Sequence, residues 1–281
     1  WNRTNWQLAT HYDHADRFMA DLVLAANGSN RCYPAKWAFS PTLGIAYVLS
    51  PLDKPVYAKL RGAAGIQHSD FVPRAGLWLS VWDSSNGQFF FGQDFSNKWG
   101  AFQTSFPTKN FRQETAYKGN IGLDLRVYAC LDFTFDAFYQ KRANILVSSA
   151  ELNSAVVGIQ SAYEDKGQVS SYGFEAGVRY AKTFNNGLNL SAGAMLTLTR
   201  NKVDQWIESP AYPNLAYVGG AADAARGLID LGLFKDQADI DNSPRQEFGQ
   251  VKPGDIKYQD VNKDGAVNEF DYVDLGVGTD V

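Results

Sequence analysis

Gly119-Asn120-Ile121-Gly122-Leu123-Asp124-Leu125-Arg126-Val127-Tyr128, followed after Ala129-Cys130 by Leu131-Asp132-Phe133-Thr134-Phe135-Asp136-Ala137-Phe138-Tyr139-Gln140, decides the fold. Ile121, Leu123, Leu125 and Val127 alternate with Asn120, Gly122, Asp124 and Arg126, and Leu131, Phe133, Phe135, Ala137 and Tyr139 alternate with polar neighbours in the same way. Side chains one residue apart on a strand point to opposite faces, so a period of two means a strand with one apolar and one wet face. The pattern returns in Phe174-Glu175-Ala176-Gly177-Val178-Arg179-Tyr180 and in Leu188 to Thr199. Weaker copies lie near 5–11, 17–26, 42–49 and 56–64.

The best of these runs are about 10 to 12 residues long, beyond the usual globular strand and matched to a tilted strand crossing a bilayer. Their wet faces carry Gly, Ser, Thr and Asn, and Tyr or Trp recurs near strand ends, as in an aromatic girdle. A soluble β-sandwich or lipocalin-like barrel would also alternate. Strand length and the small wet face favour an all-β, transmembrane, antiparallel up-and-down β-barrel, present here as part of a larger barrel.

Connections follow the same logic. Tyr12–Asp16, Ser50–Pro55, Ala129-Cys130 and Asn185-Asn186-Gly187 read as short turns, whereas 27–41, 65–117, 143–171 and 200–257 read as long loops. Short and long alternate strictly, which puts all the turns at one rim and all the loops at the other. Within the last loop, 220–233 is expected to form a short helix.

Composition excludes several classes. Among 281 residues, 26 Lys+Arg against 30 Asp+Glu give a net charge of −4, which offers no broad positive field for nucleic acid. A content of 45% hydrophobic and 14% aromatic residues is far from that of a disordered chain. No apolar run reaches the length of a transmembrane helix. Cys32 and Cys130 lack metal or disulfide-framework spacing and read as two plain thiols. With no nucleophile elbow, P-loop, HExxH or dinucleotide fingerprint, and no carboxylate pair at a telling spacing, nothing points to an enzyme. The few histidines, His11, His14 and His68, read as ordinary turn and surface polarity rather than a metal site.

Two features carry candidate chemistry. Asp260, Asn262 and Asp264 followed by Gly265, then Ala266, Asn268 and Asp271, reproduce the oxygen spacing of an EF-hand calcium loop over 260–271. Calcium takes six to eight oxygens, and the Gly allows the bend that turns carbonyls inward. Ala266 would contribute its backbone carbonyl, and Asp271, in place of the usual Glu, reaches less far. An Asp/Asn/Gly turn ordered by its own side chains is the competing reading. The second feature is aromatic. Trp78, Trp82 and Trp99, with Phe89 to Phe91 and Phe95 around Ser84-Ser85-Asn86-Gly87, would offer flat faces to a substrate, or else form a small core that folds the loop on itself.

The stretch Pro253-Gly254-Asp255-Ile256-Lys257-Tyr258-Gln259-Asp260-Val261-Asn262-Lys263-Asp264-Gly265 resembles a signature of the SusC/RagA family of TonB-dependent outer-membrane transporters. Tyr12 to Phe18 with Asn27 to Arg31, Asn120 to Asp124, Gly167 to Glu175 and Asp236 to Asp241 resemble further family motifs in the family's order. The resemblance covers nearly the whole chain. It implies residence in the bacterial outer membrane and one stretch of a 22-stranded barrel with a plug in its lumen. It also implies a SusD-like surface lipoprotein as partner, the TonB complex as energy source acting through a plug this chain lacks, and oligosaccharides or peptides as cargo. Neither plug, TonB box nor a closing aromatic strand is recognised, so the chain reads as an internal barrel segment. Two other readings compete. Asp260 to Asp271 also resembles a dockerin loop, which would make the protein a soluble secreted interaction module, although dockerins carry a second loop and helices that this sequence lacks. The strand count also admits a self-closed eight-stranded barrel.

Overall fold

The computed structural model describes residues 2–51, 54–74, 76–93, 95–109, 111–149, 159 and 162–276. The chain forms two compact units, Trp1–Asn201 and Lys202–Val281.

The first unit is built on strands β1 (Arg3–His14), β2 (Phe18–Ser29), β3 (Trp37–Ser50), β4 (Val56–Ser69), β5 (Val81–Phe91), β6 (Ser96–Ser105), β7 (Glu114–Val127), β8 (Leu131–Ser148), β9 (Tyr163–Thr183) and β10 (Asn189–Gln205). Eight of them form one sheet in the order β1-β2-β3-β4-β7-β8-β9-β10. The eight strands expected from alternation are therefore all present, in up-and-down order. The strands run from 12 to 21 residues, longer than the alternating runs alone suggest.

Tight turns set the register. At His14–Arg17 the two central residues, Ala15 and Asp16, take positive φ of 54° and 53°, and Tyr128 and Ala129 do the same at 51° and 54°. This is the primed turn, whose twist suits a two-residue hairpin. Arg17 N–H donates to His14 O (3.1 Å) and Cys130 N–H to Val127 O (3.3 Å). The register then aligns Leu60, Leu123, Phe135 and Ala176 in one cross-strand row and Ala58, Leu125, Phe133 and Val178 in the next.

Strands β5 and β6 pair only with each other, as a hairpin within the segment read as the 65–117 loop. Ser84-Ser85-Asn86-Gly87, whose composition reads as a turn within that loop, lies inside β5 at a register shift between Asp83 and Gly87. The chain instead reverses at Gly92–Phe95, where Gly92 takes φ +74° and Phe95 N–H donates to Gly92 O (3.4 Å). Turn-forming residues can equally make a bulge, and sequence does not separate the two.

Gly173 is held by a close approach rather than by a turn. A Cβ there would lie 2.2 Å from the backbone oxygen of Leu198 and 2.8 Å from the Phe138 ring. Backbone cannot swing aside as a side-chain tip can, so Gly173→Ala is expected to part β9 from β10 locally and destabilise the sheet by about 1–3 kcal/mol. Thermal or denaturant unfolding in detergent measures this, and unchanged stability would refute the close approach.

Where β8 and β9 extend beyond the regular sheet, they support a small core. Cys32, Leu77 and Phe111 are buried together, with Val72, Trp78, Leu146 and Tyr163 packed against them. Thr108 ties it: its N–H donates to Leu77 O (2.8 Å) and its Oγ1 accepts from Tyr163 N–H (3.0 Å).

The second unit contains β11 (Arg226–Gly227), β12 (Asp230–Leu233), helix α1 (Gln237–Asp241), β13 (Arg245–Gln246), β14 (Ile256–Tyr258), β15 (Ala266–Val267) and β16 (Val273–Asp274). Antiparallel β11–β16 and β12–β14 join parallel β13–β15, and Phe234 and Val267 are buried. The helix expected over 220–233 is absent: that stretch holds β11 and β12, and the helix begins at Gln237. Asp236 determines this start, because its Oδ1 accepts from Asp239 N–H (2.8 Å), whereas Gly227 and Gly232 weaken a helix upstream. Lys252-Pro253-Gly254-Asp255 makes a type II turn, with Gly254 at φ +95° and Asp255 N–H donating to Lys252 O (3.0 Å).

Candidate functional site

The two faces of the sheet differ in chemistry. On one, Leu60, Leu123, Phe135, Ala58, Leu125, Phe133 and Val178 form a continuous apolar band. These side chains are not packed into a dry interior: Leu60 is 43% exposed and Phe135 is 44% exposed. Tyr117, Tyr139 and Tyr172 fringe one end of the band, with Tyr139 directly opposite Tyr172 and Lys141 opposite Tyr117. Amphipathic rings and a long ammonium stem are the side chains that settle at a membrane–water boundary.

The other face is charged. Arg61 on β4 donates from Nη2 to Asp136 Oδ2 on β8 (2.5 Å), and its Nε lies 3.2 Å from Asp124 Oδ2 on β7. Lys59 Nζ approaches the same Asp124 oxygen at 3.3 Å, and Arg126 pairs with Asp132 at 2.5 Å. His11 Nδ1 meets Asp21 Oδ1 at 2.6 Å, so His11 serves a cross-strand contact on β1 rather than lying in the turn. Gly122 makes room for the larger cluster, since a Cβ there would lie 2.7 Å from Arg61 Cζ and 2.6 Å from Asp136 Oδ1. The motif Asn120-Ile121-Gly122-Leu123-Asp124 thus has a physical reason: apolar Ile121 and Leu123 on one face, and on the other a carboxylate with a gap through which Arg61 reaches it. Alternation placed Asp124 and Asp136 on the wet face, but the ion network needs the cross-strand register of β4, which no local pattern encodes.

In the 260–271 segment, Asp260 Oδ1 accepts from Lys263 N–H (2.6 Å) and Oδ2 from Gly265 N–H (2.9 Å). Asn262 Oδ1 accepts from Asp264 N–H (3.0 Å), and Asp264 Oδ1 from Ala266 N–H (2.9 Å). Asp271 is fully buried; Oδ1 accepts from Val261 N–H (2.8 Å) and Asn262 N–H (3.2 Å), and Oδ2 from Asn268 N–H (2.9 Å). Asn268 Oδ1 caps Phe270 N–H (2.8 Å), and Ala266 lies in β15. Lys263 at φ +62° and Gly265 at φ +91° supply the bend. Donor types and bend suit calcium. The carboxylates, however, are each turned onto backbone N–H groups, and among the described residues no group of three or more His, Cys, Asp or Glu is placed to share an ion.

Trp78 and Trp82 stand in different surroundings. Trp78 belongs to the small core with Cys32, Leu77 and Phe111, its ring 6.2 Å from that of Tyr33. Trp82 on β5 is 61% exposed, and Trp99 lies on β6 opposite Gln88, its side chain outside the described residues. Cys32 and Cys130 are free thiols, as their spacing suggests. Burial, with the Asp70 carboxylate nearby, pushes the Cys32 thiol up to about 11, so it is a packing residue and not a nucleophile.

An apolar, tyrosine-fringed face backed by a charged face is the arrangement of a barrel wall between lipid and water. A family model described as TonB dependent receptor-like, beta-barrel, matches residues 1–277. The chain belongs to the TonB-dependent receptor β-barrel family. Three solved structures are similar in fold. The RagAB peptide transporter aligns with a TM-score of 0.68 at 14% identity, covering 92% of this chain and 29% of that one. The RagAB peptide importer in its closed-closed state aligns at 0.69 and 13%, covering 97% and 30%. In its open-open state it aligns at 0.70 and 13%, covering 97% and 29%. No curated protein matches the sequence. The chain therefore spans about 30% of the length of the solved chains it matches. The family match bears out the TonB-dependent receptor part of the resemblance and places this barrel segment in the bacterial outer membrane, and the likeness to RagAB is one of fold. The dockerin-like reading is overturned, because the fold is a membrane barrel sheet. The self-closed eight-stranded barrel is overturned as well: β1 and β10 are the two edges of the sheet and are not neighbours.

Proposed function

We propose that this chain forms part of the wall of a nutrient importer that moves oligosaccharides or peptides across the outer membrane, powered by the TonB complex and served by a SusD-like surface lipoprotein. The observation that carries this reading is the reversal of polarity across one sheet, with the Arg61–Asp124–Asp136 network on the face opposite the Leu123 band. A charged wall behind a lipid-facing band is what an aqueous passage requires. In lipid both edges must be hydrogen-bonded, so the working barrel takes strands beyond β1 and β10. Two of the similar structures are described as peptide importers and a third as a peptide transporter, which favours peptides as the first cargo to test. Deleting the full-length receptor is expected to abolish growth on one class of peptides or oligosaccharides while growth on amino acids and simple sugars persists. Affinity purification is expected to recover a surface lipoprotein with it. Unchanged growth on every such substrate, with no lipoprotein recovered, would refute the reading.

Calcium binding at Asp260, Asn262, Asp264, Ala266, Asn268 and Asp271 is part of the proposal. Apart from Asp271 Oδ1, which accepts twice, the oxygens now accepting backbone N–H groups keep a second lone pair each, and the φ of Gly265 supports the bend. Binding would turn Asp260 and Asp264 toward one point. Saturating calcium is expected to raise the unfolding temperature of this unit by a few degrees and chelator to reverse it; identical melting in both would remove calcium from the proposal.

A further inference from the structure

The charged face of the sheet holds a hollow of about 260 Å³ away from the Arg61 network. Its origin lies in the register. One cross-strand row runs Thr42, Gly65, Lys118, Gln140, and the next runs Gly44, Ala63, Asn120, Phe138. Small or absent side chains at Gly44, Ala63 and Gly65 sink the floor, while Phe138 and Gln140 stand up on β8. Pockets for whole drug-sized ligands run from about 300 Å³ upward, so this one seats a single residue-sized group.

The lining specifies the chemistry. Lys59, Arg61, Arg126 and Arg142 each face a carboxylate within 3.3 Å. Lys118 has none among the described residues, and its cross-strand neighbours are Gly65 and Gln140. Gln67, Asn120 and Gln140 line the same hollow as Lys118, and their amides can each donate and accept. A cation with no carboxylate partner in a hollow that three amides also line complements an anion that itself carries donors and acceptors beside its charge.

We propose that this hollow is a subsite for a carboxylate flanked by hydrogen-bonding groups, as in an acidic peptide residue or a uronic acid, with Lys118 meeting the charge and Phe138 the apolar backing. The proposal deepens the import reading and rests on the hollow facing the aqueous passage. Peptide and sugar acids present the same chemistry, and the probes separate them.

The test uses the full-length receptor purified in detergent, with ligand-observed NMR titrations. Acetyl-Ala-Asp-amide and galacturonic acid are the charged probes, and acetyl-Ala-Asn-amide and galactose are their neutral counterparts. At least one charged probe is expected to bind more tightly than its counterpart. Lys118→Gln, an exposed change, is expected to weaken that probe about tenfold, and Ala63→Phe, which fills the floor, to abolish binding. Equal binding of charged and neutral probes, no binding at all, or charged-probe binding indifferent to Lys118→Gln would overturn the subsite. Growth assays keep the two readings apart. Uptake that persists without probe binding refutes the subsite alone, and probe binding in a receptor that imports nothing refutes the import reading.

Discussion

Replacing Asp271 by Ala is expected to unfold the second unit's loop and lower its stability by on the order of 3 kcal/mol. The carboxylate is fully buried and accepts from three backbone N–H groups, those of Val261, Asn262 and Asn268. Deleting it strands three donors, and each buried donor left without an acceptor costs about 1 kcal/mol or more. Asp271→Asn keeps the shape and one carboxamide oxygen, so it is expected to recover part of the loss. Chemical denaturation with hydrogen exchange at Val261, Asn262 and Asn268 reads the effect locally. The same loss should appear with chelator present, because these bonds need no metal. Wild-type protection of the three amides in the Ala variant would show that Asp271 is not the brace.

Putting a charge on the apolar band should be comparably damaging. Leu123 lies in the cross-strand row of Leu60, Phe135 and Ala176, midway along β7 between Val127 and the tyrosine-fringed end at Tyr117. An Arg at mid-bilayer on the lipid face of a barrel destabilises by about 2–4 kcal/mol. Leu123→Arg is therefore expected to cut assembly of folded receptor in the outer membrane sharply. Thr134→Arg, on the opposite face one strand away and near Asp124 and Asp132, is expected to assemble normally. Gel-mobility assays of heat-modifiable barrel folding compare the two. Normal assembly of Leu123→Arg with failure of Thr134→Arg would mean that the faces have been assigned the wrong way round, and equal assembly of both would refute a lipid-facing band at Leu123.

What could be read before folding follows from locality. Alternation along Gly119–Gln140 is a property of neighbouring residues, and so are the turns read at Tyr12–Asp16 and Ala129-Cys130, the second of which centres one residue earlier, on Tyr128-Ala129; a strand between lipid and water must write its two environments into successive positions. The β5–β6 hairpin was missed because it pairs away from the sheet, and because the Ser84–Gly87 bulge has the composition of a turn. The helix expected over 220–233 yielded to strand pairing with partners more than twenty residues away, Tyr258 and Asp274 among them. Trp78, Trp82 and Trp99 are close in sequence, yet Trp78 turned into the Cys32–Phe111 core, a contact that depends on distant chain.

By itself the sequence determined the class of the protein, the number of strands in the main sheet, which side chains share a face, and which family's motifs the chain carries. These depend on steps of one or two residues along the backbone. Only the tertiary structure decided that Arg61 spans Asp124 and Asp136, that Gly122 exists to let it pass, and that Lys118 stands without an acid over a floor of Gly65 and Ala63. Those facts depend on register between strands up to 75 residues apart in the chain, and register is settled by the whole set of turns, bulges and cross-strand pairs acting together.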